Sequence, residues 1–261
     1  MKKLLLVEIV FSWGYMVRPP FVSGGGSSLP YPPPTTLVGA IAYPYNKLFK
    51  PVEIEYTGGK AYSPATQLLE HISYATMAYL DIGAVETIDI TRHYTYAYIR
   101  LEHKRHEERW AAIVGVGKTY FPRRAVIAYI VDNGIADTLY KVSWCISRIG
   151  SKEGIVSVRK AMLLDIELDT SGKKVWKTIY PTPRSIADCQ ENCDTAYFWR
   201  LCREAYTSLA GLLPRQYMEP YLVPEEYRGV YGGYMRVRVK GDACVVKTPY
   251  SPLILPREVI E

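Results

Sequence analysis

Residues 27–49 read SSLPYPPPTTLVGAIAYPYNKLF. Pro32, Pro33 and Pro34 fix φ and lack an N–H, so the chain arrives here stiff and extended. Thr35 or Thr36 is then placed to cap a helix through its side-chain oxygen. Leu37, Val38, Ile41, Tyr45, Leu48 and Phe49 recur at helical spacing and predict one buried face. Gly39 and Ala42 leave room for close backbone packing, and Pro44 is expected to kink this helix or end its first part. Just upstream, Gly24, Gly25 and Gly26 lie among serines and read as a flexible loop rich in free amides.

Working outward, Lys3–Trp13 reads as a first strand. Leu5, Val7, Ile9 and Phe11 form its more apolar side and are expected to face the core. The opening MKKLLLVEIVFSW imitates a secretion signal, but Glu8 interrupts the apolar run and no small-residue cleavage site follows soon. No run approaches the roughly 18 apolar residues of a membrane span. The expected place is therefore the cytoplasm, with no membrane partner.

Downstream, Pro51–Gly59 alternates as extended chain, Pro64–His71 suits a short helix, and Ile72–Leu80 suits a strand. Residues 82–118 alternate polar and aromatic side chains and predict a projecting β-hairpin with its tip near Glu102–Glu108. Residues 82–124 hold eight basic and five acidic side chains, half the net charge of +6. Arg123–Val131 is a continuous apolar run, expected to be a central strand. Ile135–Ile149 is an amphipathic helix stopped by Gly150 as C-cap, and Ile155–Leu168 closes the unit as a strand. The order β, α, β, hairpin, β, α, β predicts an α+β, ferredoxin-like (βαββαβ) domain over 1–168 with a hairpin insertion about 82–118. Residues 169–261 form a smaller β-rich region with one helix, Thr195–Leu212. There, Gly232–Val239 and Ala243–Tyr250 read as two strands joined at Lys240–Asp242, and the tail 251–261 as extended and poorly fixed.

Hydrophobic content of 48% and charged content of 22% are those of a folded globular chain, long enough to bury a sizeable core. The net charge of +6 is compatible with a nucleic-acid partner. The 23 tyrosines suit strands and also offer stacking surfaces for unpaired bases. Five cysteines are an odd number for a disulfide framework. Cys189, Cys193 and Cys202 leave a zinc site, a disulfide or free thiols open. No metal and no cofactor are expected: Walker, dinucleotide-glycine, HExxH and Ser-His-Asp patterns are absent.

Three places could carry chemistry. The loop RIGSKEG holds Arg148, Gly150 and Lys152 around free backbone, which suits phosphate as well as a simple helix end. In the hairpin, Arg92, Tyr94 and Arg100 alternate base and aromatic, and Lys104 and Arg105 follow near the tip; such groups hold phosphates and stack on splayed bases. His103, Lys104 and His106, near the hairpin tip, could serve metal-free RNA cleavage as base and acid.

The stretch SLPYPPPTTLVGAIAY, Ser28–Tyr43, and the glycine loop Ile149–Gly154 resemble the RAMP-superfamily CRISPR proteins of the Cas "five" family, most of all the archaeal type I-A members. The resemblance covers the first two thirds of the chain. It implies a non-catalytic subunit of a type I Cascade complex that binds and caps the five-prime handle of the guide RNA (crRNA) for antiviral defence. It implies contacts to a backbone subunit and a large subunit, a hairpin thumb over the guide, and a handle site at Arg18, Gly24, Gly25, Gly26, Arg148, Gly150 and Lys152. One branch of the family cuts precursor guide RNA without metal, so an endoribonuclease using His103, Lys104 and His106 is the alternative.

Overall fold

The computed structural model describes residues 1–19, 28–50, 52, 54–81, 83–96, 110–151, 153–207 and 215–261, with 89–96 and 110–117 as backbone. The first part runs β1 (Lys2–Phe11), α1 (Pro34–Phe49), β2 (Glu55–Thr57), β3 (Lys60–Tyr62), a 3-10 helix (Pro64–Glu70), β4 (Ile72–Tyr79), β5 (Ala84–Tyr96), β6 (Trp110–Pro122), β7 (Arg124–Asp132), α2 (Asn133–Ser143) and β8 (Val156–Asp165). The second part holds β9 (Val175–Thr178), β10 (Thr182–Pro183), β11 (Ala187–Glu191), β12 (Cys193–Trp199), β13 (Met218–Pro224), β14 (Glu226–Tyr227), β15 (Val230–Tyr231), β16 (Met235–Val239), β17 (Ala243–Val246) and β18 (Leu253–Pro256).

The fold is a mixed one dominated by strands. Its centre is an antiparallel sheet in the order β4-β7-β1-β8. β1 and β7 are the inner strands, as their unbroken apolar runs require. Leu5, Val7, Ile9 and Phe11 face α1 and α2, where they meet Leu37, Val38, Ile41, Leu139 and Val142. The opposite face is buried as well. Leu4, Leu6, Val126, Ala128 and Ile130 pack under Tyr180, Val246, Leu253 and Leu255 from the second part. Alternation in β1 identified the helix-facing side; the other side is covered by chain more than 170 residues away.

Several local expectations are corrected. No threonine caps α1: Pro33 is the N-cap and Pro34 the first helical residue, a position where its missing N–H costs nothing. Pro44 sits inside a helix that continues to Phe49. Leu48 and Phe49 are exposed, and Gly39 faces open space, with nothing within 4 Å of a built Cβ. α2 ends at Ser143, so Gly150 is not its C-cap. The Thr195–Leu212 helix is replaced by β12 and a 3-10 turn at Arg203–Tyr206, with 208–214 outside the described residues. Thr195, Tyr197, Phe198 and Trp199 are β-branched and aromatic, and β13 is there to pair with them. The two strands expected on either side of Lys240–Asp242 are present as β16 and β17, with β16 paired to β11 and β9 and β17 to β18. The tail is fixed through β18, whose Leu253, Ile254 and Leu255 are fully buried.

β5 and β6 form the long antiparallel hairpin; its expected tip lies outside the described residues. Its base is clasped by β15 and by Glu86. That carboxylate lies 2.7 Å from Lys118 Nζ and accepts hydrogen bonds from Tyr120 (2.9 Å) and Tyr231 (3.1 Å). Burial alone would raise its pKa, but these three donors outweigh burial and hold it below the ordinary value of 4.5. A lowered pKa gives stability above the unfolded-state value that is lost as pH falls through the folded-state value. Glu86→Gln removes this dependence. The thermal midpoints of wild type and variant are therefore expected to converge on acidification from about pH 6 to below about pH 4. A gap that is constant or widens toward acid contradicts this.

Candidate nucleic-acid interface

The glycine loop after α2 is a closed turn. Ile149 N donates to Gly154 O at 2.8 Å, Gly154 N to Ser151 O at 3.1 Å, and Arg148 pairs with Ile155 as an isolated bridge. Gly150 has φ +70°, and a Cβ there would lie 2.8 Å from the Met16 carbonyl oxygen. Glycine is therefore required both by conformation and by close approach. The loop is docked on the segment after β1: Ser151 N donates to Met16 O (3.0 Å) and Met16 N to Ser151 Oγ (3.3 Å).

That segment is pinned in turn to the proline-rich lead-in of α1. Val17 N donates to Ser28 Oγ at 2.9 Å, and Leu29 N to Val17 O at 2.7 Å. Tyr15, fully buried, donates its phenol to Pro30 O at 2.6 Å and contacts the Tyr79 hydroxyl, which also reaches Pro30 O. Burial pushes the Tyr15 phenol far above its ordinary pKa, so it stays a neutral donor. The two sequence motifs are thus joined through one short segment, Tyr15–Arg18.

Between them opens a cleft of about 370 Å³, lined by Arg18, Thr36, Gly39, Tyr43, Arg148 and Gly150 among others. Among the described residues its lining includes two arginines and no carboxylate. The Arg148 guanidinium lies 5.8 Å from the centroid of the exposed Tyr43 ring, and Lys47 Nζ lies 5.9 Å from the same ring. Guanidinium and an aromatic face are chemically suited to a phosphate with a base beside it.

Of the residues singled out from sequence, the fold brings Arg18, Arg148 and Gly150 together here, with Tyr43 beside them. Arg92 and Tyr94 lie in β5, in register with Val114 and Ala112 of β6. Gly24, Gly25, Gly26, Arg100, His103, Lys104, Arg105, His106 and Lys152 lie outside the described residues. Thr36, Gly39, Asn46 and Lys47 of α1 were missed. The signal was available: 39, 43, 46 and 47 share the stripe of the helix opposite the apolar one. Cys189 and Cys193 form a disulfide bridging the β11–β12 turn, and Cys202 is a free thiol, which removes two members of the three-cysteine zinc set. Among the described residues no group of three metal-ligating side chains occurs, and no helix is long and apolar enough to cross a membrane.

No protein-family model matches the chain. It is 28% identical over 195 residues to "CRISPR-associated protein Cas5 3" of Saccharolobus solfataricus, covering 74% of this chain and 78% of that one. It is also 28% identical over 194 residues to "CRISPR system aCascade subunit Cas5 1" of the same organism, with the same coverage. Among solved structures, a CRISPR protein from Archaeoglobus fulgidus superposes with a TM-score of 0.61 at 17% identity, over 98% of this chain and all of that one. The architecture is thus one found among CRISPR-associated proteins. More particularly, its curated homologues in Saccharolobus are named Cas5 proteins.

Proposed function

We propose that this protein is a non-catalytic subunit of a type I Cascade complex and holds the five-prime handle of crRNA at the cleft of Arg18, Arg148 and Gly150. The observation that carries the reading is the convergence of those residues on the first turns of α1, in a homologue of Cas5 proteins. The element order and the sheet order β4-β7-β1-β8 support a ferredoxin-like RAMP domain, with β5–β6 as a thumb. Residues 169–261 then serve as a smaller β-rich region and cover the sheet's second face. The backbone and large subunits of the complex are the expected partners, and the cytoplasm the expected place.

Two arginines without a facing carboxylate attract phosphate, and guanidinium binds it in a bidentate way. Gly150 lets the loop dock on the Met16 backbone, which holds Arg148 at the cleft. Binding should therefore weaken with salt, as counterions are released. The test is fluorescence anisotropy with labelled single-stranded repeat RNA in EDTA. The double variant Arg18→Ala, Arg148→Ala is expected to bind roughly tenfold to a hundredfold more weakly and with a shallower salt slope. The RNA should be recovered uncut. Unchanged affinity and slope, or defined cleavage, would sink the proposal.

A further inference from the structure

We infer that the outer face of α1 carries a second cleft that receives one nucleobase of the strand whose phosphate sits at Arg148. This rests on the RNA-binding reading above. The cleft measures about 320 Å³ and lies between Ala42, Asn46 and Lys47 of α1 and Val52, Ser63 and Pro64 opposite. It shares Gly39, Tyr43 and Arg148 with the first cleft, so the two are adjacent.

Three observations fit a base. First, Asn46 is only 9% exposed, lines this cleft, and its Oδ1 is buried without a hydrogen-bond partner among the described residues. A buried acceptor left unmade is destabilising until a donor arrives. Every nucleobase brings such a donor on its Watson–Crick edge: an exocyclic amine in adenine, cytosine and guanine, or a ring N–H in guanine and uracil. Second, Tyr43 is half exposed at the junction of the clefts, and a phenol face there suits stacking. Third, a Cβ at Gly39 would meet nothing within 4 Å. The ridge between the clefts is low because the residue that forms it has no side chain. Arg148, common to both, sets a phosphate at one end while Asn46 sets a hydrogen bond at the other.

The experiment compares two labelled decamers by anisotropy: oligoadenylate and a ribose-phosphate strand of the same length without bases. Wild type is expected to prefer oligoadenylate by about tenfold or more, the scale of one stacked base. In Asn46→Leu the thermal midpoint and the affinity for the abasic strand are retained, and the preference falls at least about fivefold. Gly39→Leu, which raises the ridge from the helix surface, gives the same loss of preference by an independent route. A preference that survives in both variants, or equal binding of both strands by wild type, overturns the base cleft and leaves the phosphate site standing. If wild type binds neither strand, the RNA-binding reading fails and the base cleft with it.

Discussion

Gly154→Ala is expected to lower the thermal midpoint by about 5–12 °C and to abolish most RNA binding. A Cβ on Gly154 would sit 2.0 Å from the carbonyl oxygen of Ile149 and 3.1 Å from Cβ of Tyr15. Neither contact is the far end of a flexible side chain, so neither yields cheaply. The turn must open between Ile149 and Gly154, and the two backbone hydrogen bonds that close it are lost. Lost bonds and strain together cost about 2–4 kcal/mol. The functional loss is larger than the stability loss, because Arg148 begins this turn and Ser151 holds Met16. Gly172→Ala is the control. Gly172 also has φ +70°, but a Cβ there meets nothing within 4 Å. It should cost only about 1–2 kcal/mol of backbone strain and leave RNA affinity intact. A Gly154→Ala protein melting within about 2 °C of wild type would refute the account.

Glu8→Ala should be the most damaging single truncation of a charged side chain. Glu8 lies on the inner strand β1 with its side chain 8% exposed, and three elements converge on its carboxylate. Arg124 of β7 reaches Oε1 at 3.1 Å and Arg159 of β8 at 3.4 Å, while the Tyr250 phenol donates to Oε2 at 2.9 Å. Burial first, then that bond, pushes the Tyr250 phenol up to about 12. Truncation leaves Arg124 paired with Asp81 but leaves Arg159 and Tyr250 facing an empty site. Breaking a buried pair costs about 3–5 kcal/mol, and the partial exposure of both arginines reduces this to about 2–3. Because Tyr250 precedes β18, amide exchange should accelerate at Leu253, Ile254 and Leu255 more than in β7. Glu8→Gln, which keeps an acceptor in place, should lose less than half as much. A Glu8→Ala protein as stable as wild type would show that the cluster contributes nothing.

Where a segment's partners are local, its sequence was readable. The triple proline and the apolar stripe of Leu37, Val38 and Ile41 located α1, and the apolar run of Arg123–Val131 located the central strand. What escaped depends on distant chain. Leu4 and Leu6 looked like the weaker side of β1 because their cover, Val246, Leu253 and Leu255, follows some 240 residues later. Thr195–Trp199 shows no period that rejects a helix; only β13 decides it. At the site, charge and glycine pointed to Arg18, Arg148 and Gly150. Asn46 was passed over, because an asparagine inside a helix looks exposed until the opposing Ser63–Pro64 segment is known. Gly150 reads in the sequence as a helix end, but what demands glycine there is the Met16 backbone.

The burial of the central sheet on both faces has a consequence for synthesis. β1 is made some 240 residues before β18, yet Leu4 and Leu6 wait for Leu253 and Leu255 before water is excluded from them. Throughout translation the nascent chain carries an oily, half-finished surface that a passing hydrophobic segment or a chaperone can occupy. Only when β18 pairs with β17 is that surface closed, so the solubility of the half-folded polypeptide turns on that one late pairing.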